Sequence, residues 1–280
     1  MSQIQREGIL QEWSETAPYW EKHSPAIRTM FAPLTEALIA DAGIAQGHSV
    51  LDVAAGAGEP SLTIAERVGP TGSVMCTDAV EQMVIAARKE AERRGMTNIS
   101  FRQCVADSLP FDNSSFDAVV SRLGVMFFPD PQAALREMMR VTKPGGSLVF
   151  AVWHKSELNP FIQIITNVLS RHVETPPTDP EAPGAFRFAE PGKLASILKD
   201  CGARNVRERV LQFRIEAPIS PAEFWILRSE ISETLRKKLA TLKVEQRLRV
   251  AQEVQETVRE FFPDNQMSVP AQMIIVAGNA

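Results

Sequence analysis

A glycine-rich run in the first half of the chain has residue types that can hold the polar part of a nucleotide-like ligand. The run is VLDVAAGAGEPS, from Val50 to Ser61, and it predicts a strand that leads into a tight turn and then a helix. Such a turn exposes backbone N–H groups at a helix N-terminus, where polar or anionic groups bind. Gly56 and Gly58 match the first two glycines of the dinucleotide fingerprint G-x-G-x-x-G, but Ser61 replaces the third small residue. The run alone therefore does not identify the ligand.

Two carboxylates extend this candidate site. Asp78 ends the second predicted strand, 22 positions after Gly56, where a carboxylate can accept both hydroxyl hydrogens of a ribose. Asp107 follows the third strand, where it can accept a hydrogen bond from an adenine amino group. Open α/β sheets bind ligands at the carboxyl ends of their strands, which is where these residues fall. Together they indicate an adenosine-bearing ligand.

The elements that must position these residues alternate between strand and helix. Short apolar runs alternate with helix-like patterns five times between Ser49 and Trp153, and the predicted strands are 49–54, 73–77, 99–104, 116–121 and 147–153. This alternation predicts a parallel sheet with helices on both faces. Two later runs, 204–215 and 267–277, are predicted to be neighbouring strands at the sheet edge.

Three segments interrupt the alternation and define the predicted organisation. Residues 1–45 form an N-terminal helical lid in this prediction, and 46–219 form the core, which contains a lid segment at 154–190. Residues 220–262 are a helical cap insertion that opens with a capping box, and 263–280 carry the last strand of the core. We expect the three helical segments together to cover an apolar acceptor pocket.

Four runs of the chain resemble, in order, successive motifs of class I S-adenosylmethionine-dependent methyltransferases: VLDVAAGAGEP, CTDAVEQM, VADSLPFDNSSFDAVVSRLGVMFF and REMMRVTKPGGSLVFAVW. Within that class the chain is most similar to the small-molecule branch that includes the ubiquinone and menaquinone C-methyltransferases. The resemblance implies S-adenosyl-L-methionine as cofactor. It also implies an α/β fold with a seven-stranded, Rossmann-like, doubly wound sheet, mostly parallel with an antiparallel last strand, plus a helical cap.

The resemblance also implies which positions bind the cofactor. Asp52, Ala54, Gly56 and Gly58 would hold its amino-acid end, and Asp78 would bind the ribose. Met83 would pack near the adenine, Asp107 and Ser108 would meet its edge, and Ser121 and Arg122 would line the methyl-donor end. Ala79 and Ala106 are further predicted cofactor-binding positions. The family usually has glycine where this chain has Ala54, so the turn is expected to be slightly displaced. A loop-capping role for Asp52 and a packing role for Met83 are the structural alternatives.

A general base near the methyl group would help if the acceptor atom is a hydroxyl oxygen or an activated carbon. His154, directly after the fifth strand, is the first candidate catalytic residue, and His23 in the N-terminal segment is the second; an ordinary polar role is the alternative for both. Aromatic side chains can hold a flat acceptor or face a cationic sulfonium. The candidates are Tyr19, Trp20, Phe127 and Phe128, with core packing as the alternative for the two phenylalanines.

The predicted function is methyl transfer to a small, apolar or aromatic acceptor through oxygen, carbon or nitrogen. A non-catalytic protein that binds the same cofactor is one alternative, because fold does not fix function. An NAD-dependent oxidoreductase is another; it would share the glycine turn and Asp78 but would not explain Asp107 or the PGG turn at 144–146.

Composition limits the partners and the compartment. Lys and Arg total 30 against 34 Asp and Glu, a formal net charge of −4, so no nucleic-acid partner is expected. The most basic stretch, Arg228–Arg249, is interrupted by glutamates and is predicted to be a solvated helical face. Cys76, Cys104 and Cys201 form no CxxC pair, which favours free thiols in a reducing compartment. Without a signal-peptide pattern or a long apolar run, a cytoplasmic protein with no membrane span and no metal is expected.

Overall fold

The computed structural model describes residues 3–174 and 179–280, and its centre is a seven-stranded sheet. The strands are β1 (Ser49–Val53), β2 (Ser73–Asp78), β3 (Ile99–Gln103), β4 (Phe116–Arg122), β5 (Thr142–Trp153), β6 (Arg204–Ala217) and β7 (Met267–Asn279). Their order across the sheet is β3-β2-β1-β4-β5-β7-β6. Neighbours pair in parallel from β3 to β5, while β7 is antiparallel to both β5 and β6. The predicted seven-stranded sheet with an antiparallel last strand is confirmed.

The α-helices of the described residues connect and cover these strands. They are α1 (Gln3–Met30), α2 (Ala32–Asp41), α3 (Ser61–Val68), α4 (Glu81–Arg93), α5 (Pro131–Val141), α6 (Pro160–Leu169), α7 (Lys193–Asp200), α8 (Pro221–Ile231), α9 (Glu233–Ala240) and α10 (Val244–Thr257). Local sequence sets several starts: Asp130 accepts the Ala133 N–H, and Ser220 with Glu223 forms the predicted capping box of α8. No helix of the described ranges has both the length and the apolar character needed to cross a membrane.

The core lies on both faces of the central strands. Leu51, Val119, Val149 and Val276, one from each of β1, β4, β5 and β7, are fully buried. Strands covered by helices on both faces require nearly continuous apolar sequences rather than alternating ones. This requirement explains why the strand positions could be predicted from apolar runs.

The PGG sequence forms a bulge inside β5, so the prediction of a turn that precedes the strand was wrong. Phe116 of β4 pairs with Thr142, yet Ala118 pairs with Ser147, so β5 has extra residues opposite β4. A Cβ on Gly146 would lie 2.7 Å from the Thr142 Cγ2 atom and 2.8 Å from the Asp117 carbonyl oxygen. The bulge therefore requires a residue without a side chain.

Helices from three distant parts of the chain contact one another. Helix α1 packs on α4, α8 and α9, while α10 packs on α6 and α8. Residues 1–2 of the predicted N-terminal lid, and 175–178 of the Pro-rich loop in the predicted lid segment, lie outside the described residues.

Candidate functional site

A cavity of about 540 Å³ lies at the carboxyl ends of the first five strands. Each of these strands contributes a residue at or just beyond its end to the cavity wall: Val53, Asp78, Cys104, Arg122 and Trp153. Helices supply further wall residues, including Trp20 of α1, Phe161 of α6, Arg228 of α8 and Leu235 of α9. This position at the sheet edge is the usual ligand site of an open α/β sheet, and the volume suits a small organic ligand.

The glycine-rich turn forms the floor of the cavity beside β1. Gly56 has a φ of +56°, and a Cβ built there would meet no atom within 4 Å, so the turn faces open space at this point. Gly58 has a φ of +112°, and its Cβ would lie only 2.9 Å from Leu62 Cδ1. Glycine at both positions satisfies a backbone conformation that side chains rarely adopt and allows α3 to approach closely.

Asp78 is fixed at the rim of the turn by two backbone donors. The Gly56 N–H donates to its Oδ2 and the Val80 N–H to its Oδ1, both at 2.9 Å. Burial raises the pKa of Asp78, while these hydrogen bonds oppose the rise. Each carboxylate oxygen has a further lone pair, so Asp78 can still accept hydrogen bonds from a ligand in the cavity.

Asp52 lies beneath the turn rather than in the cavity wall. Its side chain is completely buried, Ser61 Oγ donates to Oδ2 at 2.6 Å, and Oδ1 has no hydrogen-bond partner in the part of the chain that the structure describes. Burial raises its pKa from 3.8 to about 7, although the Ser61 hydrogen bond and the charge of Arg122 lower it. The fold thus places an incompletely paired carboxylate directly under the turn.

The end of β4 supplies a buried cation with defined partners. Arg122 donates to Thr35 Oγ1 at 2.7 Å and to the Glu59 carbonyl oxygen at 3.0 Å, and its guanidinium lies 5.7 Å from the centroid of the Phe31 ring. Burial lowers its pKa. Ser121 is fully buried, does not line the cavity, and has an unpaired Oγ. The structure therefore brings Arg122, but not Ser121, to the cavity wall.

The remaining predicted cofactor residues divide in the same way. Ala54, Ala79, Met83, Ala106 and Asp107 line the cavity, whereas Gly58 and Ser108 do not. Met83 is buried in a small cluster with Ala17 and Val80, and Trp13 and Trp20 of α1 pack against that cluster. Met83 thus has both a packing contact and a surface in the cavity.

Neither predicted catalytic histidine reaches the cavity; none of the chain's histidines, all of which the structure describes, lines it. The Nδ1 atom of His154 accepts the Lys155 N–H at 2.7 Å, and His23 Nε2 lies 2.6 Å from a carboxylate oxygen of Glu230. Successive strand residues point to opposite faces, and it is Trp153, not His154, that faces the cavity. A catalytic role for either histidine stays a prediction without geometric support.

Some of the predicted acceptor-binding residues line the cavity and one does not. Trp20, Phe127 and Phe128 line the cavity, but Tyr19 does not; the guanidinium of Arg236 lies 4.9 Å from its ring centroid. Trp13 makes an edge-to-face contact with Phe127 at 5.0 Å. The Nε1 atom of Trp20 is buried, and no described residue is its hydrogen-bond partner.

Several wall residues were not predicted from the sequence. Trp13, Phe31, Trp153 and Phe161 line the cavity, and Trp153 stacks on Phe161 with a centroid distance of 6.2 Å. The apolar helical patterns indicated that these segments were helices but not which face would meet the sheet edge. Arg228 also lines the cavity, so its prediction as part of a solvated face was wrong.

Comparison with known sequences identifies related proteins. The sequence model of the ubiE/COQ5 methyltransferase family matches residues 34–171. An uncharacterized protein of Mycobacterium tuberculosis is 42% identical over 124 residues, which are 44% of this chain and 44% of that protein. The ubiquinone/menaquinone biosynthesis C-methyltransferase UbiE of Pasteurella multocida is 34% identical over 194 residues, 68% of each chain. The chain thus spans less than half the length of its mycobacterial relative.

Comparison with solved structures supports the same fold. The YcgJ protein of Bacillus subtilis superposes with a TM-score of 0.55 at 21% identity, over 88% of this chain and 97% of that one. The sequence match to the family includes every predicted cofactor position from Asp52 to Arg122, but neither α1 nor α8. Much of the helical cover of the cavity thus lies outside the matched range.

Proposed function

The chain belongs to the ubiE/COQ5 methyltransferase family, and from this premise we propose that it transfers a methyl group from S-adenosylmethionine to a small acceptor with an apolar or aromatic body. One observation carries the proposal. A single cavity joins Asp78 and Asp107, which suit a nucleoside, to a wall of aromatic side chains that includes Trp153 and Phe161. Cofactor and acceptor can therefore occupy one enclosed space.

The residues present fit the cofactor. The glycine turn faces open space at Gly56, and the unpaired Oδ1 of Asp52 lies beneath that turn, close to where a cationic group would be favoured. Asp78 would bind the ribose, Met83 and Asp107 would meet the adenine, and Asp52 with the turn would hold the amino-acid end. When bound, S-adenosylmethionine supplies a methyl carbon activated by its positively charged sulfur.

The chain's own contribution is positioning and exclusion of water. We propose that 1–45, 154–190 and 220–262 act together as the cover of the acceptor pocket, because α1, α6 and α8 each line the cavity and contact other covering helices. A covered apolar site holds the reacting groups at short distance and removes competing water. Arg122, fixed by Thr35 and the Glu59 carbonyl, keeps the β4 edge of this site rigid.

A non-catalytic binding protein is the second candidate, and one observation favours it. Among the described residues no histidine lines the cavity, so the usual general base is missing from its wall. An acceptor whose own nucleophile is already reactive, such as an amine or a phenolate, would not need that base. The NAD-dependent alternative loses its support, because the chain belongs to a methyltransferase family.

We further propose a cytoplasmic location and a small-molecule partner rather than a nucleic acid. The free cysteines Cys76, Cys104 and Cys201 support the first, since reduced thiols persist in that compartment. The net charge of −4 supports the second.

Two measurements test the proposed function. Calorimetry should show binding of S-adenosylmethionine and of its demethylated product S-adenosylhomocysteine. A panel of phenolic, quinone-like and amine acceptors with methyl-labelled cofactor should then yield labelled product, and NADH should not bind. Absence of S-adenosylhomocysteine binding would contradict the proposal, whereas tight binding with no transfer across the panel would support the non-catalytic candidate.

A further inference from the structure

Arg228 is a cation in the cavity wall that no other group of the described chain neutralises. It lies on α8, and no hydrogen bond or ion pair joins its guanidinium to the described residues. Its Nε atom is fully buried and unpaired. Arg122, the other arginine of the wall, differs because it donates to both Thr35 and Glu59.

An aromatic ring covers one side of the Arg228 guanidinium. The guanidinium carbon lies 4.6 Å from the centroid of the buried Phe161 ring, a cation–π contact that provides no oxygen for its N–H donors. Burial alone lowers the pKa of Arg228 to about 10, so the side chain is still charged at neutral pH, and no carboxylate is close enough to raise the pKa again. A buried charge is costly unless an opposite charge and hydrogen bonds compensate it. The fold therefore leaves these donors to be completed by a ligand.

The place of Arg228 in the cavity separates it from the nucleoside end. Phe161 stacks on Trp153, which ends β5. Asp78 ends β2, three strands away in the order β2-β1-β4-β5, which is ~14 Å at the usual strand spacing. Arg228 thus belongs to the aromatic end of the cavity, where the proposed acceptor would lie.

We propose that Arg228 anchors an anionic group of the acceptor, and that the acceptor is a small aromatic or alicyclic acid, most simply a carboxylic acid. The planar guanidinium presents paired N–H donors whose geometry matches a carboxylate, while Trp153 and Phe161 cover the apolar body of the same molecule. This inference rests on the proposed function only in naming the ligand as the methyl acceptor.

Binding of two matched probes tests this inference. The probes are 2-naphthoate and its neutral counterpart 2-naphthamide, measured by calorimetry with the full chain, with and without saturating S-adenosylhomocysteine. Wild type should bind the naphthoate at least about tenfold more tightly than the amide, as expected for one charge-assisted pair. Arg228→Met should reduce this preference to below about threefold. Arg228→Lys should keep part of the preference, because the positive charge remains although the paired guanidinium N–H donors are lost.

A control variant separates loss of a particular arginine from loss of any positive charge. Arg249→Met removes an exposed arginine of α10 outside the cavity and should leave the preference unchanged. Thermal melting shows whether each variant folds. Failure of naphthoate to bind wild type, a preference that persists in Arg228→Met, or one that disappears equally in Arg249→Met would overturn the inference.

The cofactor itself provides the last distinction. If Arg228→Met weakened S-adenosylhomocysteine binding more than about tenfold, Arg228 would serve the cofactor carboxylate and the acceptor assignment would be wrong. If S-adenosylhomocysteine failed to bind wild type, the proposed function would fail. The naphthoate preference measured without it would still decide the role of Arg228.

Discussion

Replacing Asp52 by asparagine removes a carboxylate that the fold buries completely. Among the described residues only Ser61 Oγ donates to it, and Oδ1 has no partner there. Burial raises its pKa from 3.8 to about 7. Between these two pH values the folded chain keeps a proton that the unfolded chain has released, so this residue makes stability fall as the pH rises from about 4 to about 7.

The size of this effect follows from the two pKa values. A difference of about three pKa units, at 1.36 kcal/mol each, corresponds to about 4 kcal/mol of stability lost over that window. An asparagine side chain is neutral at every pH, so Asp52→Asn should remove this loss. The new amide group has its own cost in a buried site, about 1 to 3 kcal/mol for an unsatisfied donor, but that cost does not change with pH.

The measurement is urea unfolding of wild type and Asp52→Asn at several pH values from 4.5 to 8.5. The free energy of unfolding of the variant, minus that of wild type, should increase by about 3 kcal/mol over this range, because about 1 kcal/mol of the total is already lost at pH 4.5. Asp200→Asn, an exposed change on α7, provides the control and should give a nearly constant difference. A constant difference for Asp52→Asn as well would refute the reasoning that burial holds a proton on this carboxyl group.

Two further predictions concern the turn and its neighbours. Asp78→Asn keeps an oxygen for one of the two backbone donors, Gly56 or Val80, but loses the negative charge. Calorimetry should show that S-adenosylhomocysteine binds at least about tenfold more weakly to this variant. A smaller change in affinity would count against the ribose assignment. A Cβ on Gly124 would lie 2.7 Å from Ala54 Cβ, so Gly124→Ala should destabilise the fold by about 1 to 3 kcal/mol. Ala54→Gly should restore part of that stability in the double variant, and purely additive effects in urea unfolding would contradict the predicted contact.

Much of the core could be predicted because its signals are local. The strands and the capping box at Ser220 depend on residues within a few positions of one another, and the structure confirms them. Asp78 and Asp107 were also predictable as neighbours, because the carboxyl ends of parallel strands meet at one sheet edge. For these residues, strand order and chain direction are sufficient.

The acceptor end could not be predicted in the same way. Arg228 lies 106 positions after Arg122, and only the packing of α8 against α1 and α10 brings it into the same cavity. Its neighbours in sequence include glutamates, which made a solvated face the natural prediction. His154 shows a related limit: the sequence places it directly after a strand, but it does not say which of the successive side chains there meets the cavity.

Three local features that break ordinary rules lie at or beside this cavity. Ala54 adopts a φ of +61°, which costs an L-residue about 1 to 2 kcal/mol, Asp52 has an unpaired buried oxygen, and Arg228 has unpaired donors. The first two lie at the turn and the third at the aromatic end. Proteins keep such costs where a ligand compensates them. An unpaired acceptor under the turn and unpaired donors at the far end match a ligand pair with a cationic part at one end and an anionic part at the other.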